Sequence, residues 1–376
     1  MRIVEFFPSA FWGGTEQFVY DLSRQLLENG HDVMLAAHRS KVVADKVSNL
    51  RDKRGVAPTL YNFGKSFNPV TLIKFVRRMM AFRPDVVHTH SYTDAHTALM
   101  ARSICRMCGV DYRVIMTRHL VTPHKRGLKY RYIYRNINRL VFVSDLCRRA
   151  FLDGMEQEGV RQKCHVILNS RPTVAVSSRS DIRKEYGIKE DMPMILFSGR
   201  LVMEKGIVTI LDAAEHIADQ RFILLFVGPV HAQVQPYIDR ALANPKLADK
   251  IITTGFRSDI WSITQAADIC VQPSIIAEAG SLSVLEAMQA GKPVIATNNG
   301  SQGEYVDNGV NGILISPEDV DALSTHLDTL LNNKELRMKI GAAAKEKFDT
   351  ILSWKNFVSH YEELYTTVVA EGRELK

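Results

Sequence analysis

The stretch from Glu278 to Gly300, EAGSLSVLEAMQAGKPVIATNNG, contains a helical segment, a Gly-Lys-Pro turn and a strand-forming run. Its glutamates, Glu278 and Glu286, stand eight positions apart, the first before the helix and the second within it. Solvated helix faces often carry glutamates, but Glu286 lies among apolar residues, namely Val284, Leu285, Ala287 and Met288. A carboxylate in apolar surroundings needs a partner or a ligand. The stretch therefore predicts a helix-turn-strand unit that places one carboxylate against a partner or a ligand.

The same alternation of short apolar runs and amphipathic segments covers the whole chain. The predicted strands are Ile3–Phe7, Val33–Ala37, Val86–His90, Arg113–Thr117, Leu140–Ser144, His165–Leu168, Met194–Ser198, Phe222–Val227, Ile251–Thr254, Ile269–Gln272, Val294–Thr297 and Gly312–Ile315. The predicted helices include Glu16–Glu28, Leu72–Phe82, Gly206–Ile217 and Ser281–Ala290. This pattern indicates parallel sheets covered by helices on both faces. We expect an α/β fold with two Rossmann-like domains whose strand ends face a central cleft.

The strand series restarts near Met194, after the Ser/Arg-rich and then charged stretch Pro172–Asp191. We take that stretch as the linker and predict one domain over residues 1–172 and a second over 173–353. Residues 354–376 form a helical pattern, which we expect to pack back on the first domain. Two domains also suit a chain of 376 residues, at roughly 150 residues per domain.

Composition narrows the class of protein. No apolar run approaches the roughly 18 residues of a membrane span, and the N-terminus lacks the pattern of a signal peptide. The five cysteines are scattered and odd in number, which favours a reducing cytoplasm. Cys105 and Cys108 form a CxxC pair without a second pair at zinc spacing, so we interpret them as core thiols.

Charge is distributed unevenly. Residues 1–172 hold 28 Lys and Arg against 14 Asp and Glu, whereas the remainder holds 20 against 27. The densest segment lies between Asp111 and Asp145 and contains no acid; its cations are Arg113, Arg118, Lys125, Arg126, Lys129, Arg131, Arg135 and Arg139. Three tyrosines interleave with them. The segment suits a solvated face, or contact with anionic lipid or a phosphorylated acceptor. Nucleic acid is the weaker interpretation, since no recognition motif accompanies the charges.

Two loops could bind an anion. Gly13-Gly14 lies between the first strand and a helix that starts near Thr15, where backbone N–H groups can approach a phosphate. A simple tight turn would look the same, and the dinucleotide motif GxGxxG is absent. In the second half, Arg200 and Lys205 follow the strand Met194–Ser198. Two cations at the carboxyl end of a strand suit a diphosphate, although unrelated surface charges are the alternative.

Three histidines end neighbouring strands. His88 and His90 point to the same face of an extended strand. Zinc is conceivable there, but no carboxylate or cysteine lies near them in sequence, so we interpret both as structural. His119 follows the next strand, within the basic region, and is the better candidate for a site.

Taken in order, these motifs resemble one family: GGTE after the first strand, His119, VFVSDLCRRAFL, HVILNS, SGRLVMEKG, TTGFRSDI and the stretch from Glu278 to Gly300. The chain is similar to retaining nucleotide-sugar glycosyltransferases of the GT-B fold, glycosyltransferase family 4 or group 1. That family includes bacterial lipopolysaccharide, capsule and mannosyl transferases. The resemblance covers essentially the whole chain. Its most specific part is Glu278-x7-Glu286 combined with Arg200 and Lys205.

The resemblance implies a role for each candidate residue. Arg200 and Lys205 would hold the donor diphosphate and stabilise the leaving nucleotide. Glu286 would bind the ribose, while Glu278 and His119 would contact the transferred sugar. The catalytic set is thus Glu278, His119, Arg200 and Lys205. The donor-binding set is Gly13, Gly14, Gly199, Arg200, Lys205, Arg257, Glu278, Gly280, Ser281, Leu282 and Glu286, with Gly255-Phe256-Arg257 meeting the nucleobase through its backbone.

The implied activity is transfer of a sugar from a nucleotide diphosphate sugar, UDP rather than GDP, to a glycan or lipid-linked acceptor in cell-surface polysaccharide or lipopolysaccharide biosynthesis. The first domain would bind the acceptor and the second the donor. The resemblance implies no metal, because cationic side chains and helix dipoles would do its electrostatic work, and no cofactor, because the nucleotide sugar is a substrate. We expect a cytoplasmic protein, with residues 113–139 facing an anionic membrane surface on its inner side.

Two alternatives on the same scaffold stay open, a nucleotide-sugar epimerase and a non-catalytic nucleotide-sugar-binding protein. A nicotinamide dehydrogenase would need GxGxxG. The chain also departs from its relatives at two loops. Asn169-Ser170-Arg171-Pro172 stands where many relatives have Asn-Gly-Val/Ile-Asp, and Gly228-Pro229-Val230-His231 stands where many have Gly-x-Gly.

Overall fold

The computed structural model describes residues 1–7, 9–51, 55, 58–61, 69–172 and 179–374. The chain forms two compact units, one made of Met1–Leu168 with Lys355–Lys376 and the other of Asn169–Trp354. The first boundary thus falls before the predicted residue 172. The predicted linker Pro172–Asp191 contains a helix, Arg179–Glu185, and its residues 173–178 lie outside the described part of the chain.

The first unit is built on a seven-stranded parallel sheet. Its strands are β1 (Arg2–Phe7), β2 (Asp32–His38), β3 (Thr59–Tyr61), β4 (Val86–Thr89), β5 (Arg113–Arg118), β6 (Arg139–Phe142) and β7 (Cys164–Val166). Their order is β3-β2-β1-β4-β5-β6-β7. Strand β1 pairs with β2 on one side and β4 on the other, so the winding direction reverses between β1 and β4. The loops after these two strands diverge and leave a crevice at the carboxyl edge of the sheet.

The helices of the first unit are α1 (Gly14–Glu28), α2 (Lys41–Val47), α3 (Pro69–Phe82), α4 (Tyr92–Met107), α5 (Leu128–Asn136), α6 (Asp145–Leu152) and α7 (Glu158–Arg161). The C-terminal helix, Trp354–Glu374, also packs here. Its Tyr361 and Tyr365 are fully buried. They lie within hydrogen-bond distance of Thr117 on β5, at 3.1 Å, and of Glu5 on β1, at 3.1 Å.

The second unit contains a six-stranded parallel sheet in the order β10-β9-β8-β11-β12-β13. Its strands are β8 (Met194–Ser198), β9 (Ile223–Val227), β10 (Ile251–Thr253), β11 (Ile269–Gln272), β12 (Val294–Thr297) and β13 (Ile313–Ile315). Its helices are α8 (Arg179–Glu185), α9 (Ile207–His216), α10 (Gln235–Ala243), α11 (Ile260–Ala266), α12 (Leu282–Gln289), α13 (Gln302–Tyr305), α14 (Val320–Asn332) and α15 (Lys334–Lys347). The winding direction reverses between β8 and β11.

Helix α9 shows how the sequence forms this core. Ile207, Ile210, Leu211 and Ala214 recur at helical spacing and are buried against the sheet. The intervening Val208, Asp212 and Glu215 are less buried. This apolar stripe is the pattern that a helix packed on a sheet requires. Among the described residues, no helix combines the length and the apolar character needed to cross a bilayer.

The α/β prediction is confirmed, and each predicted strand is present within two residues of its predicted ends. The four predicted helices are present with ends shifted by at most three residues. The prediction missed β3, a three-residue edge strand. Only Tyr61 of its three residues is buried and Leu60 beside it is exposed, so β3 contains no buried apolar run that would mark a strand.

Gly206, between the turn at Met203–Lys205 and α9, has a positive φ of 72°. A Cβ at this position would overlap the carbonyl group of Pro273. The glycine therefore allows the loop after β8 to approach the loop after β11 closely. This approach brings Lys205 beside the second loop.

We predict that Gly206→Ala destabilises the protein more than Gly187→Ala does. Gly187 has a similar φ of 65°, but no described heavy atom lies within 4 Å of a Cβ there. The control should lose about 1–2 kcal/mol from backbone strain, and Gly206→Ala about 1–3 kcal/mol more from the overlap. Urea unfolding of both variants measures the difference. Equal losses would contradict the close approach at Pro273.

Candidate functional site

The loops after β8 and β11 meet at the reversal point of the second sheet. Lys205 follows β8 and forms an ion pair with Glu278, which follows β11. The Ser274 hydroxyl donates to the same carboxylate oxygen at 2.5 Å. The backbone of the Glu278 loop is fixed as well, because the Ser301 N–H donates to the Glu278 carbonyl at 2.9 Å. The structure thus brings two predicted catalytic residues together at the carboxyl edge, where such sheets bind ligands.

Arg200 lies in the same loop as Lys205, directly after β8, and its side chain is exposed. Within the described part of the chain its guanidinium forms no ion pair. Gly199, beside it, has a positive φ of 149°, and its carbonyl lies so close to Gly228 that no side chain fits at position 228. An unpaired guanidinium on a fixed loop is available to bind a phosphate.

Glu286 is buried in α12 and has a partner, Arg171, whose guanidinium lies 2.8 Å from its Oε1. Burial raises the pKa of Glu286, and the nearby positive charge of Arg171 opposes this rise. The carboxylate that seemed to need a partner or a ligand therefore has a protein partner. Arg171 lies in the segment Asn169–Pro172, where the resemblance does not hold, so the resemblance assigned it no role.

The start of α12 follows Glu278 closely. Ser281 is the residue preceding the helix and is buried, and Leu282 is its first residue. A Cβ on Gly280 would lie 2.6 Å from Nδ2 of Asn169, so any larger residue would require that amide to move. The backbone N–H groups at this helix start are positioned to favour an oxyanion.

Several buried polar atoms around this loop lack a hydrogen-bond partner in the described structure. They are Oδ1 of Asn169, Oδ1 of Asn299, Oγ of Ser301 and both amide atoms of Gln302. Buried polar groups are normally paired, so unpaired ones mark places for water or ligand atoms. We did not predict any of them as a site residue from the sequence. Their amide and hydroxyl groups stand out only once the fold shows that they are buried without partners beside the Glu278 loop.

Arg257 lies in the loop after β10, and its guanidinium is engaged. It binds Glu185, both carboxylate oxygens of Asp259 at 2.8 and 2.7 Å, and the Tyr186 hydroxyl at 2.8 Å. These hydrogen bonds raise its pKa further above the ordinary arginine value. The side chain is therefore held by neighbouring residues. The contact with a nucleobase, which we predicted for the backbone of this loop, does not need it.

In the first unit, Gly13 precedes α1 and Gly14 is its first residue. The Gly13 N–H donates to the carboxylate of Glu16 at 3.0 Å. A carboxylate thus occupies the helix N-terminus where we predicted a phosphate. The side chain of Glu16 would have to move before the Gly13 amide could bind a ligand.

The histidines at the ends of β4 and β5 surround a buried carboxylate, Glu5 of β1. His88 Nδ1 lies 3.1 Å from Glu5 Oε1, and His90 Nε2 lies 3.0 Å from Glu5 Oε2. His90 Nδ1 lies 3.2 Å from His119 Nε2. We call Glu5, His88, His90, Thr117, His119 and Tyr365 the Glu5 cluster. Sequence reasoning missed Glu5 because it is 83 residues away from His88.

Burial dominates the electrostatics of the Glu5 cluster. It lowers the pKa values of His88, His90 and His119 to about 3, so these imidazoles are neutral at physiological pH. It also raises the pKa of Glu5, against the hydrogen bonds that it accepts. The cluster is therefore held by hydrogen bonds between neutral rings and one acid group.

Glu5, His88 and His90 are also the one set in the described residues whose ligand atoms lie near enough to share a metal ion. Each of those atoms already has a hydrogen-bond partner, and Tyr365 adds a contact of 2.8 Å to His88 Nδ1. A fully paired set needs no ion to satisfy it. Of the two cysteines that we interpreted as core thiols, Cys105 is buried but Cys108 is exposed, so that interpretation is wrong for Cys108.

The basic segment divides into two groups. Arg113 pairs with Asp111, Arg118 packs over the ring of Tyr92, and Arg139 pairs with Glu371. The cations with exposed side chains are Lys125, Arg126, Lys129, Arg131 and Arg135. Tyr134 is buried and hydrogen-bonded to Tyr92 at 2.8 Å. Of the three tyrosines that interleave with the cations, Tyr134 therefore faces the interior of the unit.

We predict that Arg171→Gln lowers the free energy of unfolding by about 3 kcal/mol near pH 7, because it leaves the buried Glu286 carboxylate unpaired. The folded protein would then bind a proton at Glu286 more readily than the unfolded chain does. The deficit should therefore shrink as the pH falls towards the ordinary glutamate value of 4.5. Urea unfolding between pH 5 and 8 measures this. Arg221→Gln, which breaks an exposed pair with Asp191, should show no such pH-dependent loss. A deficit independent of pH would contradict the assignment.

Comparison with known proteins finds a matching family model for each half of the chain. Residues 12–173 match the model of Glycosyltransferase Family 4, and residues 178–347 match that of Glycosyl transferases group 1. The two matches leave unmatched only short segments at the ends and between them.

Individual relatives agree. A glycosyltransferase of Methanocaldococcus jannaschii is 23% identical over 96% of this chain and 95% of its own length. A lipopolysaccharide 1,2-N-acetylglucosaminetransferase of Salmonella typhimurium is 29% identical over 49% of this chain and 51% of its own.

Solved structures share the fold. A glycosyltransferase from Rickettsia africae superposes with a TM-score of 0.82 at 21% identity, covering 98% of both chains. The Anabaena protein HepE in complex with UDP gives 0.80 at 18% identity, covering 98% of this chain and all of the other. With its two parallel sheets and these matches over both halves, the chain is a GT-B glycosyltransferase that belongs to family 4 and group 1.

Proposed function

We propose that the protein is a retaining glycosyltransferase that moves a sugar from a nucleotide diphosphate sugar, UDP in preference to GDP, to a glycan or lipid-linked acceptor of cell-surface polysaccharide or lipopolysaccharide. The observation that carries the proposal is the ion pair of Glu278 with Lys205 at the reversal point of the second sheet. It joins a sugar-binding carboxylate to a phosphate-binding cation at the place where parallel sheets bind nucleotides.

Two comparisons support the choice of substrates. HepE, which shares the fold, has been solved with UDP and with UDP-glucose. The Salmonella relative transfers N-acetylglucosamine in lipopolysaccharide, by its name, and matches about half of this chain.

The second unit provides the groups that a diphosphate leaving group needs. Lys205 uses one N–H on Glu278 and keeps two for phosphate oxygens. Arg200 adds a guanidinium from the same loop, and the start of α12 adds backbone N–H groups. These positive groups stabilise the charge that grows on the nucleotide as the glycosidic bond breaks. In this scheme they perform the electrostatic role of a metal ion.

The two glutamates have separate roles in this scheme. Arg171 contacts Oε1 of Glu286, and we assign Oε2 to a ribose hydroxyl. Glu278 would accept a hydrogen bond from the transferred sugar and fix its orientation. Retention follows if the acceptor hydroxyl attacks from the face that the phosphate leaves, with a phosphate oxygen taking the proton.

We predict metal-independent binding of UDP, measured by calorimetry in EDTA, with GDP bound more weakly. Glu286→Gln should weaken UDP binding about tenfold, since it removes a charge-assisted hydrogen bond. Glu278→Gln should leave UDP affinity nearly unchanged and lower kcat for the UDP-sugar by at least about tenfold. Glu346→Gln, on an exposed face of α15, is the matched control. Full activity of both site variants would refute the assignment. Release of free UDP without a transferred sugar would refute the proposed reaction.

We also propose that the exposed cations of the basic segment attach the protein to the anionic inner surface of the cytoplasmic membrane. Leu128, at the start of α5, is 83% exposed beside them. Next to it lies a pocket of about 520 Å³ lined by Lys125, Arg126, Arg131 and Arg135, with Glu156 as its acid. A basic surface with an exposed leucine combines attraction to anionic lipid with an apolar contact.

We predict that the protein floats with vesicles containing anionic lipid at low salt. Reversing Lys125, Arg126 and Lys129 to Glu should lower partitioning at least about a hundredfold, at about 1 kcal/mol for each lost cation. The control reverses Arg221, Arg240 and Lys246 of the second unit, which are also exposed and change the net charge equally. Equal flotation of the two triple variants would show that the basic segment is not the membrane contact.

A further inference from the structure

The Glu5 cluster joins the C-terminal helix to His119 through side-chain hydrogen bonds. Glu5 and His88 are fully buried, and the imidazole of His90 is 1% exposed. His119 is the cluster member at the carboxyl end of β5, and it packs edge-on against Phe18 at 5.0 Å. The cluster is therefore an internal network with one end near the edge of the sheet that the predicted ligand approaches.

The hydrogen-bond partners determine where the protons lie. Three groups point at the Glu5 carboxylate: the Tyr365 hydroxyl at 3.1 Å, His88 Nδ1 at 3.1 Å and His90 Nε2 at 3.0 Å. Each can donate a proton. Burial raises the pKa of Glu5, but a carboxylate that accepts several hydrogen bonds is favoured in its ionised form, and three donors converge on this one. We therefore place the negative charge on Glu5 and a proton on each of the three donors.

This assignment determines the tautomers of His90 and His119. A neutral imidazole has one N–H, so His90 with its proton on Nε2 has a lone pair on Nδ1. That lone pair faces His119 Nε2 at 3.2 Å and must accept a hydrogen bond. His119 consequently carries its proton on Nε2, and its Nδ1 is an acceptor.

The remaining branch is consistent with the same protons. His88, with its proton on Nδ1, accepts at Nε2 from the Thr117 hydroxyl, 2.7 Å away. Thr117 in turn lies 3.1 Å from the Tyr361 hydroxyl of the C-terminal helix, which can donate to it. The Tyr365 hydroxyl oxygen lies 2.8 Å from His88 Nδ1 and can accept a second bond from that N–H while its own proton is donated to Glu5. Every donor in the network then meets an acceptor.

His119 Nδ1 is the open end of the network. Among the described residues it has no hydrogen-bond partner, and it is not one of the buried unpaired polar atoms. Solvent or a ligand can therefore reach it. An acceptor with one free lone pair suits the hydroxyl group of a sugar.

We propose that Glu5 and His90 are positioning residues, which hold His119 in the Nε2–H tautomer so that its Nδ1 accepts a hydrogen bond from a hydroxyl of the transferred sugar. This inference rests on the proposed glycosyl transfer. Neither Glu5 nor His90 touches the substrate. They act because the second nitrogen of an imidazole is set by the bond that the first one makes.

The tautomer can be measured in the protein without any ligand. In a ¹⁵N-histidine-labelled sample, the protonated and unprotonated ring nitrogens have well-separated chemical shifts, and the spectrum of His119→Gln identifies the His119 signals. We expect the proton of His119 on Nε2. A wild-type spectrum with the proton on Nδ1, or with both forms equally populated, overturns the proposal whether or not any variant folds.

The variant His90→Phe keeps an aromatic ring at the site and removes the partner of His119. We expect its His119 to show mixed tautomers, a kcat about tenfold lower and weaker binding of the UDP-sugar. Its affinity for UDP alone should change by less than about twofold. The control is His96→Phe, a half-buried histidine of α4 outside the cluster, which should leave all three measurements unchanged.

The remaining outcomes separate the two proposals. If His90→Phe retains wild-type kcat and UDP-sugar affinity, the positioning of His119 by Glu5 and His90 has no role in catalysis. If the wild type binds no nucleotide sugar, the proposed function fails and the sugar contact of His119 fails with it, while the spectrum still decides the tautomer. Zinc provides a last test. If the wild type binds Zn²⁺ stoichiometrically and His90→Phe does not, the proposal is also overturned, because a metal ion would replace these hydrogen bonds.

Discussion

A carboxylate buried among apolar side chains costs free energy. The fold must therefore supply each such carboxylate with hydrogen-bond or charge partners that offset this cost. Glu5 meets this constraint with neutral donors from β4, from the loop after it and from the C-terminal helix. Glu286 meets it with one guanidinium, that of Arg171. Glu278, at the edge of its sheet, forms an ion pair with Lys205 and accepts a hydrogen bond from the Ser274 hydroxyl. The three solutions differ in their partners: a carboxyl group among neutral donors, an internal ion pair, and an ion pair that a substrate can reach.

The parallel sheets decide where these groups appear. Because the strands of each sheet run in one direction, side chains that follow them collect at one edge, and the reversal of winding opens a crevice there. In the second sheet that position holds Lys205 and Glu278. In the first sheet it holds Gly13 after β1 and His90 after β4. The carboxylate of Glu16 already caps the first of these loops, which resembles an anion site occupied by the chain's own acid.

Much of the fold could be predicted, because buried parallel strands carry apolar runs and the amphipathic helices between them carry a helical period. The short edge strand β3 lacks such a run and was missed. At the site, sequence order placed Lys205 and Glu278 after the correct strands. It could not pair Glu5 with His88 and His90, or Glu286 with Arg171, since those contacts join residues that the chain brings together only through the fold. The same holds for Arg257, whose loop we predict to meet the nucleobase through its backbone: only the fold shows that Glu185 and Asp259 bind its side chain.

The bond between Tyr365 and Glu5 spans 360 residues, nearly the whole polypeptide. During synthesis the first sheet can be complete while Glu5 and the surrounding imidazoles still lack their last partners. The second unit is made in the interval, before the helix Trp354–Glu374 leaves the ribosome. The first unit therefore gains its last contacts only after the second has been made. Because contacts between residues far apart in sequence form slowly compared with local ones, we expect docking of this helix to be a late step in the folding of the first unit.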